Sequence, residues 1–304
     1  MRYCECSYAK VNLHLEVLAK RADGYHDILS LMLRTGLHDL LKLDDLRVFD
    51  GEPGMVSVKI EPDGGERDFL LLDIPADENL ISKAARAYFS AIGKSAEAVV
   101  RLKKNIPVGG GLGGGSADAA SMLRLLNKSV GGLDEKGLSA VALSIGADVP
   151  FCLYDGAALC EGIGEKIQMI PHLLDCSLLI LNDGTYVDTK WAYGAVDESK
   201  EYGAVDGEAI SRKKKHLTSI LKSGDITQLQ DICVNDFEEP VFSRFPSVKK
   251  LKSALSEGGA EFCIMTGSGS TVIGLFNSHI QAKKVQSHFI DKQVSAWLTE
   301  FVRS

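Results

Sequence analysis

The chain has 304 residues, 45% hydrophobic and 25% charged, and its 34 basic against 41 acidic side chains give a net charge of −7. Those proportions are those of soluble globular proteins and exclude a disordered, collagen-like or coiled-coil chain. The acidic balance argues against broad nucleic-acid or anionic-membrane binding, which needs a basic face, and leaves room for one phosphate-bearing small molecule in a local basic pocket. The length suits two domains or one large one. The seven cysteines are odd in number and form no C-x-x-C, so neither a zinc site nor a disulfide framework is expected. With no signal-like apolar region at the N-terminus and no uncharged apolar run near the roughly 20 residues that span a bilayer, a reduced, cytoplasmic protein is expected.

In chain order, Ala9–Val17 alternates apolar and polar residues like a half-buried strand, and Asp23-Gly24-Tyr25 reads as a turn. Leu29–Leu33, Leu40–Leu43 and Val56–Ile60 follow as strands, which predicts a mixed or antiparallel sheet. A helix opens after Glu78-Asn79, Ala98–Leu102 is a strand, and a second helix is expected over about 117–127. Asp134 caps a third helix over 135–145 that Gly146 ends. Beyond a Gly-rich stretch near 156–164, Cys176–Leu181 reads as a buried strand and 196–216 as exposed loop and helix start. Helical stretches near 225–235 and 247–256, two strands around Gly267–Ser270 and a last helix complete the prediction, with a domain boundary near residue 156.

The strongest chemical feature is Pro107-Val108-Gly109-Gly110-Gly111-Leu112-Gly113-Gly114-Gly115-Ser116, which runs straight into a helix. Six glycines in seven positions are entropically costly for a plain connector. Their use is close backbone approach to a ligand, and the helix that follows adds unpaired N–H groups and the positive end of its dipole. Strand, loop and helix N-terminus together form a phosphate cradle.

The run also contains G-x-G-x-x-G at Gly109, Gly111 and Gly114, with Asp134 twenty residues on. A dinucleotide fold needs a strand after that helix, whereas a second helix begins at Asp134, so a dehydrogenase reading is rejected. Gly93-Lys94-Ser95 imitates the end of a Walker A loop, but position 88 is Tyr88 instead of the required glycine, and Lys94 reads as solvated. In Gly146-Ala147-Asp148-Val149-Pro150-Phe151, Pro150 disfavours helix at Val149 and sets Asp148 on an extended piece entering an apolar strand. Asp148 is a candidate functional carboxylate there, or the acceptor of an Asx turn. Arg212-Lys213-Lys214-Lys215-His216 reads as a solvated helix start.

Taken together, Ala9-Lys10-Val11-Asn12-Leu13, Asp23-Gly24-Tyr25-His26, the glycine loop with Ala117-Asp118-Ala119-Ala120, Gly146–Phe151, Gly162-Ile163-Gly164-Glu165 and Thr266-Gly267-Ser268-Gly269 resemble the GHMP kinase superfamily over nearly the whole chain. The Lys-x-Asn and Asp-Gly-Tyr-His segments are similar to its members that act on a cytidine diphosphate-linked polyol in non-mevalonate isoprenoid synthesis. The resemblance implies an α+β two-domain fold. A ribosomal-protein-S5-like ATP-binding domain (1–156) would precede a C-terminal α+β domain (157–304), with the active site between them.

It further implies that the glycine loop, Pro107 to Ser116, holds ATP, with Mg²⁺ at its phosphates and Ser116 as a metal contact. Lys10 and Asp148 would be catalytic, facing the accepting hydroxyl with Asn12 near it. Tyr25, His26, Thr189 and Tyr193 would meet the cytidine, and Gly267 and Ser268 would close the site. A monomer or homodimer is implied. Other kinases of the superfamily, of mevalonate or homoserine type, remain the alternative, against which an aromatic beside a ring donor at Tyr25-His26 suits a nucleobase. Ala117, Ser270, Asp188 and His14 depart from the family pattern, where Ser, Pro, Ser and a larger apolar residue are usual, and residues 44–75 match no motif.

Overall fold

A computed structural model of the chain describes residues 3–65, 67, 75, 77–203 and 206–303. Parts of the 44–75 and 196–216 segments and the first two residues therefore lie outside the described residues. The elements in order are β1 (Tyr3–Lys20), β2 (His26–Phe49), β3 (Val56–Pro62), α1 (Leu80–Ala91), β4 (Ser95–Lys103), α2 (Gly114–Val130) and α3 (Glu135–Ile145). There follow β5 (Ala157–Gly162), β6 (Lys166–Ile170), β7 (Ser177–Asn182), α4 (Thr189–Ser199) and α5 (Gly207–Ser223). The chain ends with α6 (Glu238–Arg244), α7 (Pro246–Glu257), β8 (Phe262–Met265), β9 (Val272–Phe276), α8 (His279–Asp291) and β10 (Ser295–Thr299). Two compact units result. The first holds residues 1–9, 37–108 and 113–154; the second holds 10–36, 109–112 and 155–304.

In the first unit the C-terminal half of β2 pairs antiparallel with β4, from Leu40↔Lys103 to Phe49↔Ser95, with a bulge between Leu43 and Asp45. β3 pairs parallel with β4, α1 forming the crossover that a parallel pair requires. Asn79 caps α1 by accepting from Ile81 N, and Asp134 caps α3 by accepting from Gly137 N, as the spacing predicts. α2 starts three residues earlier than predicted, inside the glycine run. The predicted strand after Asp148 is instead a turn leading into a 3-10 segment, Phe151–Leu153: Pro150 takes helical dihedrals (φ −58°, ψ −44°), and Cys152 N donates to Asp148 O.

In the second unit the N-terminal half of β2 pairs antiparallel with β5, and β5 with β6. β5 fills the stretch read only as Gly-rich, β6 follows it, and Glu165 accepts from Ile163 N (2.6 Å) in the turn joining them. A second, antiparallel sheet has the order β10-β7-β9-β8. β7 is buried at every residue, which is why its sequence reads as an unbroken apolar run. Leu179, Leu181, Val248, Leu255, Phe276 and Phe289 join that sheet and its helices into one core. Near 225–235 the predicted helix is a 3-10 segment, Ile226–Asp231, and α6 and β10 were not foreseen. The basic run lies inside α5 rather than at its start, with Lys213 paired to Glu16 (2.6 Å) and Lys214 to Glu161.

One ionic cluster fixes how β4 enters the glycine loop. Asp39 is fully buried; its Oδ1 accepts from Asn105 N (2.5 Å) and Ile106 N (2.8 Å), and its Oδ2 from Lys104 Nζ. Lys104 also donates to Asp118 (2.8 Å) in the second turn of α2. Burial above all, with the charge of Asp39, pushes the Asp118 carboxyl up to about 7, Lys104 opposing the shift. Removing Asp39 leaves the Asn105 and Ile106 N–H groups without their acceptor and takes one of two counter-charges from the buried Lys104, so Asp39→Ala is expected to cost about 3–5 kcal/mol in denaturant unfolding. Because Asp118 binds its proton more tightly folded than unfolded, its contribution to stability is complete below the ordinary value of 3.8 and is lost as pH rises through about 7. Asp118→Asn should therefore flatten the fall in stability across that window, as read by melting temperature against pH.

Candidate active site

β1 carries the predicted alternation, yet its polar positions are as buried as its apolar ones: Lys10 is 4% exposed, Asn12 1% and His14 fully buried. The strand is covered on both faces, so each of these groups must be satisfied by protein. Asn12 does this for three segments of the second unit. Its Oδ1 accepts from Lys10 Nζ (2.8 Å), Gly267 N (3.1 Å) and Thr266 Oγ1 (3.3 Å), and its Nδ2 donates to Ser30 Oγ (2.8 Å). Lys10 N donates to Leu112 O (3.0 Å), which ties the strand to the glycine loop. The side chain of Asn12 thus holds Lys10 and the Thr266-Gly267 turn in place.

The loop itself is divided between the units: Pro107, Val108 and Gly113–Ser116 belong to the first, Gly109–Leu112 to the second. Gly109, Gly111 and Gly113 have φ of +77°, +76° and +66°, values that L side chains rarely adopt. A Cβ on Gly111 would lie 2.6 Å from Thr266 O, so here the glycine serves close approach of two backbone segments within the second unit. At Gly109 the ring of Tyr186 packs where a Cβ would stand, 3.0 Å away.

In the first unit Gly113 caps α2 without a side-chain hydrogen bond. The first-turn N–H groups have no side-chain cap, and the residues present fit a phosphate group. Ser116 is half-buried at that terminus. Among the described residues no group of three His, Cys, Asp or Glu side chains is placed to hold a metal ion. Asp148 lies in the first unit, half-buried in the turn after α3.

The remaining predicted residues gather in the second unit. Tyr25 is 59% exposed beside the Asp23-Gly24 turn, where Gly24 has φ +87°. His26 is buried, and its ring stacks on Tyr193 at 4.6 Å and 19°, Tyr193 in turn meeting Phe237 edge-on. Thr189 and Ser268 share a hydrogen bond of 3.0 Å. Asp188 caps α4 by accepting from Trp191 N (2.7 Å), a position where Asp and Ser are interchangeable, so its charge has a local use. Ser270 donates to Thr185 O and accepts from Asn182. His14 Nδ1 accepts from Val234 N (3.2 Å) and its Nε2 faces Glu16 at 3.4 Å; that contact, ahead of the Lys213 pair, holds the Glu16 carboxyl down at about 2 despite burial.

Sequence reading missed Asp197, whose Oδ1 lies 2.8 Å from His26 Nε2. The signal was its spacing, four residues past Tyr193 and so on the same helical face.

The chain matches the models of the GHMP kinases N-terminal domain over residues 79–156 and the GHMP kinases C-terminal domain over 217–295. It belongs to the GHMP kinases. Within that family it is 38% identical to 4-diphosphocytidyl-2-C-methyl-D-erythritol kinase of Thermodesulfovibrio yellowstonii, over 93% of both chains. It is 31% identical to the enzyme of that name from Clostridium botulinum, over 97% of this chain and 99% of the relative. A crystal structure of 4-(cytidine 5'-diphospho)-2C-methyl-D-erythritol kinase superposes with TM-score 0.74 at 28% identity, covering 99% of this chain and all of the other. Homoserine kinase from Cytophaga hutchinsonii shares the fold at TM-score 0.73 and 19% identity, covering 100% of this chain and 96% of its own.

Two glycine variants separate strain from ligand effects. Gly111→Ala combines an unfavourable φ with a backbone clash and should lower stability by more than about 1 kcal/mol. Gly115→Ala, whose methyl would meet only Leu80 at 3.2 Å, should stay within about 0.5 kcal/mol in thermal unfolding.

Proposed function

We propose that this chain phosphorylates the 2-hydroxyl of 4-diphosphocytidyl-2-C-methyl-D-erythritol with ATP and Mg²⁺, in the cytoplasm, as a monomer or homodimer. The observation that carries the reading is the almost buried ammonium of Lys10, held by Asn12 on a strand bonded to the glycine loop. A desolvated, positioned cation is what phosphoryl transfer asks of a protein, since the reaction depends on positioning and charge neutralisation more than on covalent chemistry. Full-length kinship with enzymes of that name supports the substrate.

Residues 1–156 act as the ATP-binding domain and 157–304 as its partner. The N–H groups from Gly113 to Ser116 hold phosphate oxygens, and the other loop residues, Pro107 to Leu112, line the nucleotide. Ser116 contributes its hydroxyl to Mg²⁺, which when bound neutralises phosphate charge. Asp148 accepts the proton of the substrate hydroxyl, and Lys10 stabilises the charge on the transferred group. Tyr25 and Tyr193 stack on the cytosine, His26 reads its edge, and Thr189, Gly267 and Ser268 hold the sugar and diphosphate.

The direct test is phosphate transfer from ATP to a panel of alcohols with and without a cytidine diphosphate handle. Turnover confined to the cytidine-linked polyol supports the proposal, and equal turnover of homoserine or mevalonate overturns it. A general base contributes about 10²–10⁴-fold, so Asp148→Asn should lose that much kcat while keeping its melting temperature and its affinity for ATP. An active Asp148→Asn enzyme ends the base assignment. Since base stacking is worth about 1–3 kcal/mol, Tyr25→Ala should raise the KM of the cytidine substrate roughly ten- to a hundredfold and leave that of ATP alone.

A further inference from the structure

Asp197 on α4 is the centre of a polar cluster that the proposed chemistry does not use. Its Oδ1 faces His26 Nε2 (2.8 Å) and accepts from Tyr202 OH (2.8 Å), and its Oδ2 accepts from Lys20 Nζ (2.6 Å). Burial raises the Asp197 carboxyl, but the hydrogen bonds from Lys20, His26 and Tyr202 outweigh it and hold the group at about 2. Asp197 is therefore a carboxylate at neutral pH and can only accept. The imidazole nitrogen turned toward it must carry the hydrogen, which in a neutral ring leaves Nδ1 with its lone pair. The ring is also fixed in plane by its stack on Tyr193, and Tyr193 stands one turn before Asp197 on the same helix. Stack and carboxylate thus determine together where Nδ1 lies and what it can bind.

We propose that Asp197 is the specificity-determining positioning residue of the nucleobase site, locking His26 into the Nε2–H tautomer so that Nδ1 accepts from an exocyclic amine and the site takes cytosine over uracil. The inference rests on the reading of this site as a cytidine pocket. Cytosine presents an N4 amine where uracil presents the O4 acceptor. Against a lone pair at Nδ1 the amine gains a hydrogen bond, whereas O4 sets two acceptors face to face and leaves both without a donor. Lys20 and Tyr202 act through Asp197: by donating to it they keep it ionised and aimed at the ring.

The test compares kcat/KM for the cytidine and uridine forms of the diphospho-methylerythritol substrate in the wild type and in Asp197→Ala. Freed from the carboxylate, His26 can adopt the Nδ1–H tautomer, so the cytidine preference should fall about ten- to a hundredfold, chiefly in KM for the nucleotide substrate. KM for ATP should hold. A role confined to stability would slow both substrates alike and leave their ratio unchanged, and that result overturns the inference. If Asp197→Ala fails to fold, nitrogen NMR of His26 in the wild-type protein decides: an unprotonated Nδ1 supports the proposal and a protonated one ends it. A wild type that turns over neither nucleotide, or both equally, overturns the cytidine reading itself. A strongly cytidine-selective wild type whose selectivity survives Asp197→Ala overturns only the role of Asp197.

Discussion

A buried carboxamide with no partner costs a few kcal/mol, and Asn12 has two acceptor lone pairs and two N–H groups to satisfy at 1% exposure. Satisfying them brings its strand neighbour Lys10 together with two pieces of chain distant in sequence, Ser30 on β2 and the Thr266-Gly267 turn between β8 and β9. The same turn leaves no room for a side chain at Gly111, whose backbone it touches. The position of the Lys10 ammonium, the shape of the turn and the identity of one loop glycine are therefore consequences of satisfying one amide. Asn12 thus has a structural task of its own, although the sequence presents it and Lys10 as one motif.

The first unit meets a similar demand with ions. Asp39 takes the two N–H groups that strand β4 gives up on leaving the sheet, and Lys104 balances its charge while also donating to Asp118 under the start of α2. Buried ionic clusters are seldom a net source of stability against an apolar alternative, but they are intolerant of partial removal. Their effect here is geometric. The residues just before Pro107 are held at backbone and side chain, so the glycines that follow begin from a fixed point even though they have little conformational preference of their own.

Elements whose signals are local are legible in the order of residues alone. α3 runs from its Asp134 cap to Gly146, α1 opens at its Asn79 cap, and the apolar run of β7 is a strand, each as its sequence predicts. The differences fall where competing local preferences are nearly balanced. Pro150 allows either an extended or a turning backbone, and the contact of Cys152 N with Asp148 O selects the turn. The short α6 and the edge strand β10 carry too few residues for a clear period, and their existence follows from the sheet and helices they cover. Tyr25, His26, Tyr193 and the glycine loop are legible through motif. Asp197 is not, because its partner His26 lies 171 residues away.

The sequence by itself determined where most elements lie, though not their ends, and the family whose residue order it shares, since these depend on residue type and near-neighbour spacing. Only the tertiary structure decided which polar groups are buried and what each is paired with. Lys10, Asn12 and His14 alternate with apolar residues as on any half-exposed strand, and it is the second covered face that makes them interior groups. Whether Asp188 is a stray charge or a helix cap, whether Lys213 and Lys214 are solvated or paired, and which nitrogen of His26 carries its proton all turn on neighbours remote in sequence. The physical reason is that burial and hydrogen bonding are properties of a place, and a place is assembled from segments whose separation along the chain carries no local signal.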